Sequence, residues 1–174
     1  MKKGGTGGGR TQSGLRFEEK ADFLALIGSK KGYTVKGHEI FFQGKKVAAS
    51  YKKGELYKYL AKQGIDDKKI LSARLLPDDA IFVIKDKMVY ILEIKFQEVS
   101  GSTDEKLQTG DFKIKQYKKL LFSLGLSVEF IFILNDWFKQ ARYKDVLDYI
   151  KSTPGCSYYF EVLPLGKIGL PTPS

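Results

Sequence analysis

The chain of 174 residues is poor in the residues that carry several common chemistries. Its one cysteine, Cys156, excludes an internal disulfide framework and a cysteine-based zinc site, and suits a reducing cytoplasm. A single histidine, His38, gives little basis for a zinc or triad enzyme. Apolar runs stop short of the roughly 18–20 residues that a membrane span needs. The opening MKKGGTGGG has no apolar stretch, so no secretory signal is expected. Arginine is scarce too, at four positions, which leaves few side chains for bidentate reading of guanine.

What is present points to one packed domain with a polyanionic partner. The apolar fraction is 43%, with 12 Phe and 10 Tyr, enough for a single core. Lys and Arg number 30 against 20 Asp and Glu, a net charge of +10, which favours nucleic acid over an acidic membrane, since no amphipathic helix with a concentrated basic rim is visible. Residues 1–11 form a Gly-rich head, expected to be flexible. Gly4 to Thr11 comes within one residue of a phosphate-loop pattern, but Arg10 replaces its lysine and no strand precedes it.

From Gln12 the spacing of Leu15, Phe17, Phe23, Leu24 and Ile27 predicts a helix ending at Gly28. Short strands follow at 33–36, 39–43 and 46–50, then a short helix at 55–63. The runs 80–85 and 88–96 read as a hairpin closed by a two-residue turn at Asp86-Lys87. A long helix from Ser102 or Thr103 to about Leu124, a buried strand at 128–134, a helix at 137–150 and a strand at 158–162 complete the domain. Residues 163–174 read as a Pro/Gly-rich tail. The order predicts a mixed α/β fold.

One constellation has chemical promise. Alternation on the second hairpin arm puts Glu93, Lys95 and Gln97 on one face and Ile94 and Phe96 on the other. Antiparallel return brings Asp78 or Asp79, at the head of the first arm, towards them. Because the two acids face opposite ways, only one can serve. Two converging carboxylates make a hard-oxygen site suited to Mg²⁺, with Lys95 holding a water and balancing charge. The acid-x-Lys tripeptide itself occurs six times in the chain, so its weight comes from its strand context.

Pro77-Asp78 followed by Glu93-Ile94-Lys95 resembles the PD-(D/E)XK nuclease superfamily, to which many type II restriction endonucleases and junction resolvases belong. The run Gln97 with Gly101-Ser102-Thr103-Asp104-Glu105-Lys106 is similar to a pattern in some restriction enzymes. The resemblance implies a restriction-endonuclease-like αβββαβ core with a central mixed sheet flanked by helices, spanning 12–162. It implies that Asp78 and Glu93 bind Mg²⁺, that Lys95 orients the attacking water, and that Glu18, on the first helix, adds a third carboxylate. The implied activity is Mg²⁺-dependent hydrolysis of double-stranded DNA, leaving a 3′-hydroxyl and a 5′-phosphate. A chain this short would act as a homodimer or beside a larger recognition subunit. Expected DNA contacts are Arg10 and Gln12 in the head, Gln97, Ser102 at the helix start, and Lys106 and Lys113 on the basic helix. Two other readings stand beside this one. One is a structure-selective nuclease such as a Holliday-junction resolvase. The other is a non-catalytic basic nucleic-acid-binding module in which Glu93 and Lys95 are a plain surface ion pair.

Overall fold

A computed structural model describes residues 13–101 and 103–174. Seven strands form one mixed sheet: β2 (Tyr33–Lys36), β3 (Glu39–Phe42), β4 (Lys45–Tyr51), β5 (Asp79–Val83), β6 (Met88–Lys95), β7 (Ser127–Leu134) and β8 (Cys156–Phe160), side by side in that order. From β2 to β6 the neighbours are antiparallel. β6, β7 and β8 are parallel. Parallel neighbours need a crossover, and helices supply both. α3 (Thr103–Lys106) and α4 (Gly110–Leu121) lead from β6 to β7, and α5 (Lys144–Ser152) leads from β7 to β8.

Each face of the sheet carries its own core. Alternate residues of the central strands, such as Phe82, Ile91, Phe130 and Phe132, pack under α2 (Gly54–Lys62), α4 and α5. The intervening residues, such as Ile81, Leu92, Ile131 and Ile133, pack under α1 (Phe23–Gly28) and the chain termini. The central strands are therefore apolar on both faces, which is why Phe130 to Leu134 is an unbroken buried run. The fold is α/β with a mixed central sheet flanked by helices, as the element order predicts.

The first element differs from expectation. Leu15 and Phe17 do enter the core, but from a strand: β1 (Gly14–Arg16) pairs antiparallel with β9 (Val162–Pro164). Two apolar positions two apart share one face of a strand but not of a helix, so Leu15 and Phe17 follow the strand period, and the partner strand lies at the far end of the chain. The helix begins only at Phe23, where the Asp22 carboxylate accepts from the Ala25 N–H at 3.0 Å. Residues 163–174, expected as a tail, are built into the same layer, with Leu163, Leu165, Ile168 and Leu170 buried. The long helix expected to Leu124 is interrupted by single 3₁₀ turns at Leu107–Thr109 and Phe122–Leu124, and Gly125 closes it at φ 65°. The helix expected at 137–150 starts as two 3₁₀ turns and becomes α-helical only at Lys144.

Turn length at the hairpin decides the site. A two-residue turn at 86–87 would pair residue 85 with 88 and set Ala80 opposite Glu93. Instead Val83 pairs with Met88, leaving a four-residue loop, and Asp79 pairs with Leu92. Asp78 then falls at the end of β6.

Candidate functional site

The site lies where β5 begins and β6 ends, beside the carboxyl ends of the parallel strands, a usual place for ligands in open α/β sheets. Asp78 precedes β5 and is half-buried; its Oδ2 accepts the Ile94 N–H at 2.7 Å. The β5–β6 ladder ends at Asp79 and Leu92; Asp78, the next residue out, reaches the end of β6 through the Ile94 N–H, while Glu93 lies on the side covered by α4. Asp79 projects the other way. Asp78 and Asp79 nevertheless line one cleft at this end of the sheet.

Glu93 is 7% exposed and held by two ammonium groups. Lys95 Nζ lies 2.7 Å from Oε2, and Lys113 Nζ, reaching down from α4, lies 2.7 Å from Oε1. Burial alone would push this carboxyl up, but Lys95 and Lys113 outweigh it and hold the pKa below the ordinary value. The carboxylate therefore stays charged in a largely dry place. Lys113 also stands 5.9 Å from the centre of the Phe130 ring.

This polar cleft of about 310 Å³ is lined by Asp78 itself together with Glu19, Asp22, Lys52, Asp79 and Ile94, among others. Asp79 is 4% exposed, and its Oδ1 accepts from the Ser50 hydroxyl at 3.0 Å. Burial pushes its pKa up to about 7, with Asp22 and Asp78 adding to the rise and Ser50 and Lys52 opposing it. Lys52 is ion-paired with Asp22 at the mouth of the cleft.

The remaining expected residues are placed unevenly. Glu18 is exposed in the loop after β1, not on a helix, and the carboxylates of that segment that line the cleft are Glu19 and Asp22. The reason is the β1–β9 pairing, which postpones the helix to Phe23. Gln97 is half-buried and turned inward, its amide donating to Asp104 Oδ1 at 3.2 Å. Its main chain is clamped by Asn135, which donates to the Gln97 carbonyl at 2.8 Å and accepts from its N–H at 3.3 Å. Lys106 is exposed on α3. Arg10, Gln12 and Ser102 lie outside the described residues.

Sequence reasoning put Lys113 among the DNA contacts of the basic helix and missed its contact with Glu93. A signal existed: Lys113, Tyr117 and Leu120 recur at helical spacing, and the last two are buried, so Lys113 begins an inward stripe. Asp79, Ser50 and Asn135 carried no such signal, because their partners are distant in the chain.

The donor set can be tested against the Mg²⁺ that the resemblance implies. Among the described residues no three His, Cys, Asp or Glu side chains group as a metal cage. Mg²⁺ commonly takes only one or two carboxylates and keeps several waters. Asp78 and Glu93 meet that demand in type and number, with Asp78 Oδ1 accepting no hydrogen bond among the described residues. A cation at Glu93 would displace one of the two ammonium groups.

No family model, curated protein or solved structure gives a significant match to the chain. No helix among the described residues is long and apolar enough to cross a membrane.

Proposed function

We propose that the chain is a Mg²⁺-dependent DNA endonuclease of the restriction type, built on a PD-(D/E)XK-like core. The observation that carries this reading is the β5–β6 register, which pairs Asp79 with Leu92 and so brings Asp78 to the end of β6 that holds Glu93 and Lys95. Asp78 and Glu93 would hold the metal; when bound, it polarises a phosphodiester oxygen and acidifies water. Lys95, 19% exposed in its side chain, is placed to hold the attacking water and offset charge. Lys113 keeps Glu93 ionised and offers a second cation to the phosphate as the substrate enters. Water oxygen bonds to phosphorus, the bond to the 3′ oxygen breaks, and that oxygen takes a proton to become a 3′-hydroxyl. The +10 charge draws the duplex in by counterion release. A homodimer, or a larger subunit that reads the target, would supply the second cut and the sequence specificity. The reducing cytoplasm is the proposed setting.

A second reading has its own support. Both oxygens of Glu93 are already taken by lysines, an arrangement that also suits a purely structural ion triad in a basic nucleic-acid-binding module. Supercoiled plasmid incubated with Mg²⁺ or EDTA separates the two. Metal-dependent nicking by the wild type, lost by at least about a hundredfold in Glu93→Ala, is the expected result. Salt-sensitive binding with intact plasmid would establish the module instead.

A further inference from the structure

Two buried side-chain polar atoms among the described residues have no hydrogen-bond partner. Gln97 Oε1 belongs to the loop network around Asp104. The other is the Tyr117 hydroxyl, and its position is more telling. Tyr117 is 1% exposed on α4, one turn beyond Lys113, whose ammonium meets Glu93. Its ring lies 6.3 Å from that of Phe130, and, after burial, Tyr57, Glu93 and Asp78 all act on its hydroxyl in the same direction. Burial raises its pKa well above the ordinary value, so it is a phenol O–H, a donor with nothing to donate to. An idle buried hydroxyl is costly, and phenylalanine would fill the same space without that cost. The Tyr117 hydroxyl therefore has its donor capacity open to an acceptor that arrives with the working site.

We propose that Tyr117 is a positioning residue of the Asp78–Glu93 site, its hydroxyl donating to a water molecule held between it and the two carboxylates. A water needs two to four polar partners, and these three groups supply them. The water donates hydrogen bonds to the carboxylates and accepts one from Tyr117, leaving its second lone pair to Lys95 until it attacks phosphorus. The inference rests on the nuclease reading: it assigns to the same site a group that fixes the nucleophile.

The test compares wild type, Tyr117→Phe and Glu93→Ala. Three quantities are measured: thermal midpoint in EDTA, affinity for a DNA duplex in EDTA, and single-turnover cleavage of that duplex with Mg²⁺ at saturating and subsaturating enzyme. For Tyr117→Phe we expect a midpoint equal to or above wild type and duplex affinity within about twofold. The maximal cleavage rate should fall at least about tenfold with its half-saturation unchanged. Wild-type cleavage matched within twofold by Tyr117→Phe would overturn the inference and leave the nuclease reading intact. A lowered midpoint with cleavage reduced only as the folded fraction falls would also overturn it, making the hydroxyl structural. A wild type that leaves DNA uncut in Mg²⁺ would overturn the nuclease reading, and the inference with it.

Discussion

Asp79 offers the most quantitative handle on this site. It is almost wholly buried, its hydroxyl partner Ser50 is neutral, and Asp22 and Asp78 lie nearby, so its carboxyl is raised from 3.8 to about 7. Between those two values the folded chain keeps the proton that the unfolded chain releases. Stability therefore falls as pH rises through that window, and the loss is complete above the folded value. With about 1.4 kcal/mol for each pH step, the full cost at pH 8 is roughly 4 kcal/mol, of which somewhat over 2 kcal/mol accrues between pH 5 and 8. Asp79→Asn removes the charge and keeps an oxygen for Ser50. The expected outcome is a variant more stable than wild type, with its advantage larger at pH 8 than at pH 5 by about 2–3 kcal/mol. Urea unfolding in EDTA at both pH values measures it, and other titrating groups cancel in the difference. An advantage that does not change with pH, or a variant less stable at pH 8, would refute the argument that burial governs this carboxyl.

Two further outcomes follow from the supports of the site. Asn135→Ala removes both side-chain bonds to the Gln97 main chain, two residues beyond Lys95. A loss of about 1–2 kcal/mol is expected, together with faster hydrogen exchange at the Gln97 amide and a lower cleavage rate. Gly155→Ala would place a methyl 2.6 Å from Ile114 Cδ1 at a residue whose φ is +78°. The expected cost is about 1–3 kcal/mol in thermal unfolding, with the Glu93 ion pairs unaffected.

The periodicity of apolar residues settled much of this protein locally. Val128–Leu134 and the strands between Tyr33 and Ser50 are where alternation and glycine punctuation put them, because burial on a sheet face is written directly into neighbouring residues. The same alternation put Glu93 and Lys95 on one face. Leu15 and Phe17 are misplaced because their strand-like spacing is merged with the helical run from Phe23, and the partner that reveals the strand, Leu163, lies at the other end of the chain. Alternation could not choose between Asp78 and Asp79 or foresee Lys113 at Glu93, because those depend on pairing across space.

The sequence by itself determined the chemical stock: two acids on the hairpin, a lysine two positions along, a basic surface and apolar strands. Tertiary structure alone decided where each acid lies. A β-ladder shifts in whole residue steps, and the four-residue loop at 84–87, not the residues of the motif, pairs Ala80 with Ile91 and not with Glu93 and so brings Asp78 to the end of β6. Tertiary structure likewise brought Lys113 down onto Glu93, since helix packing, unlike strand alternation, is fixed by contacts between segments twenty residues apart.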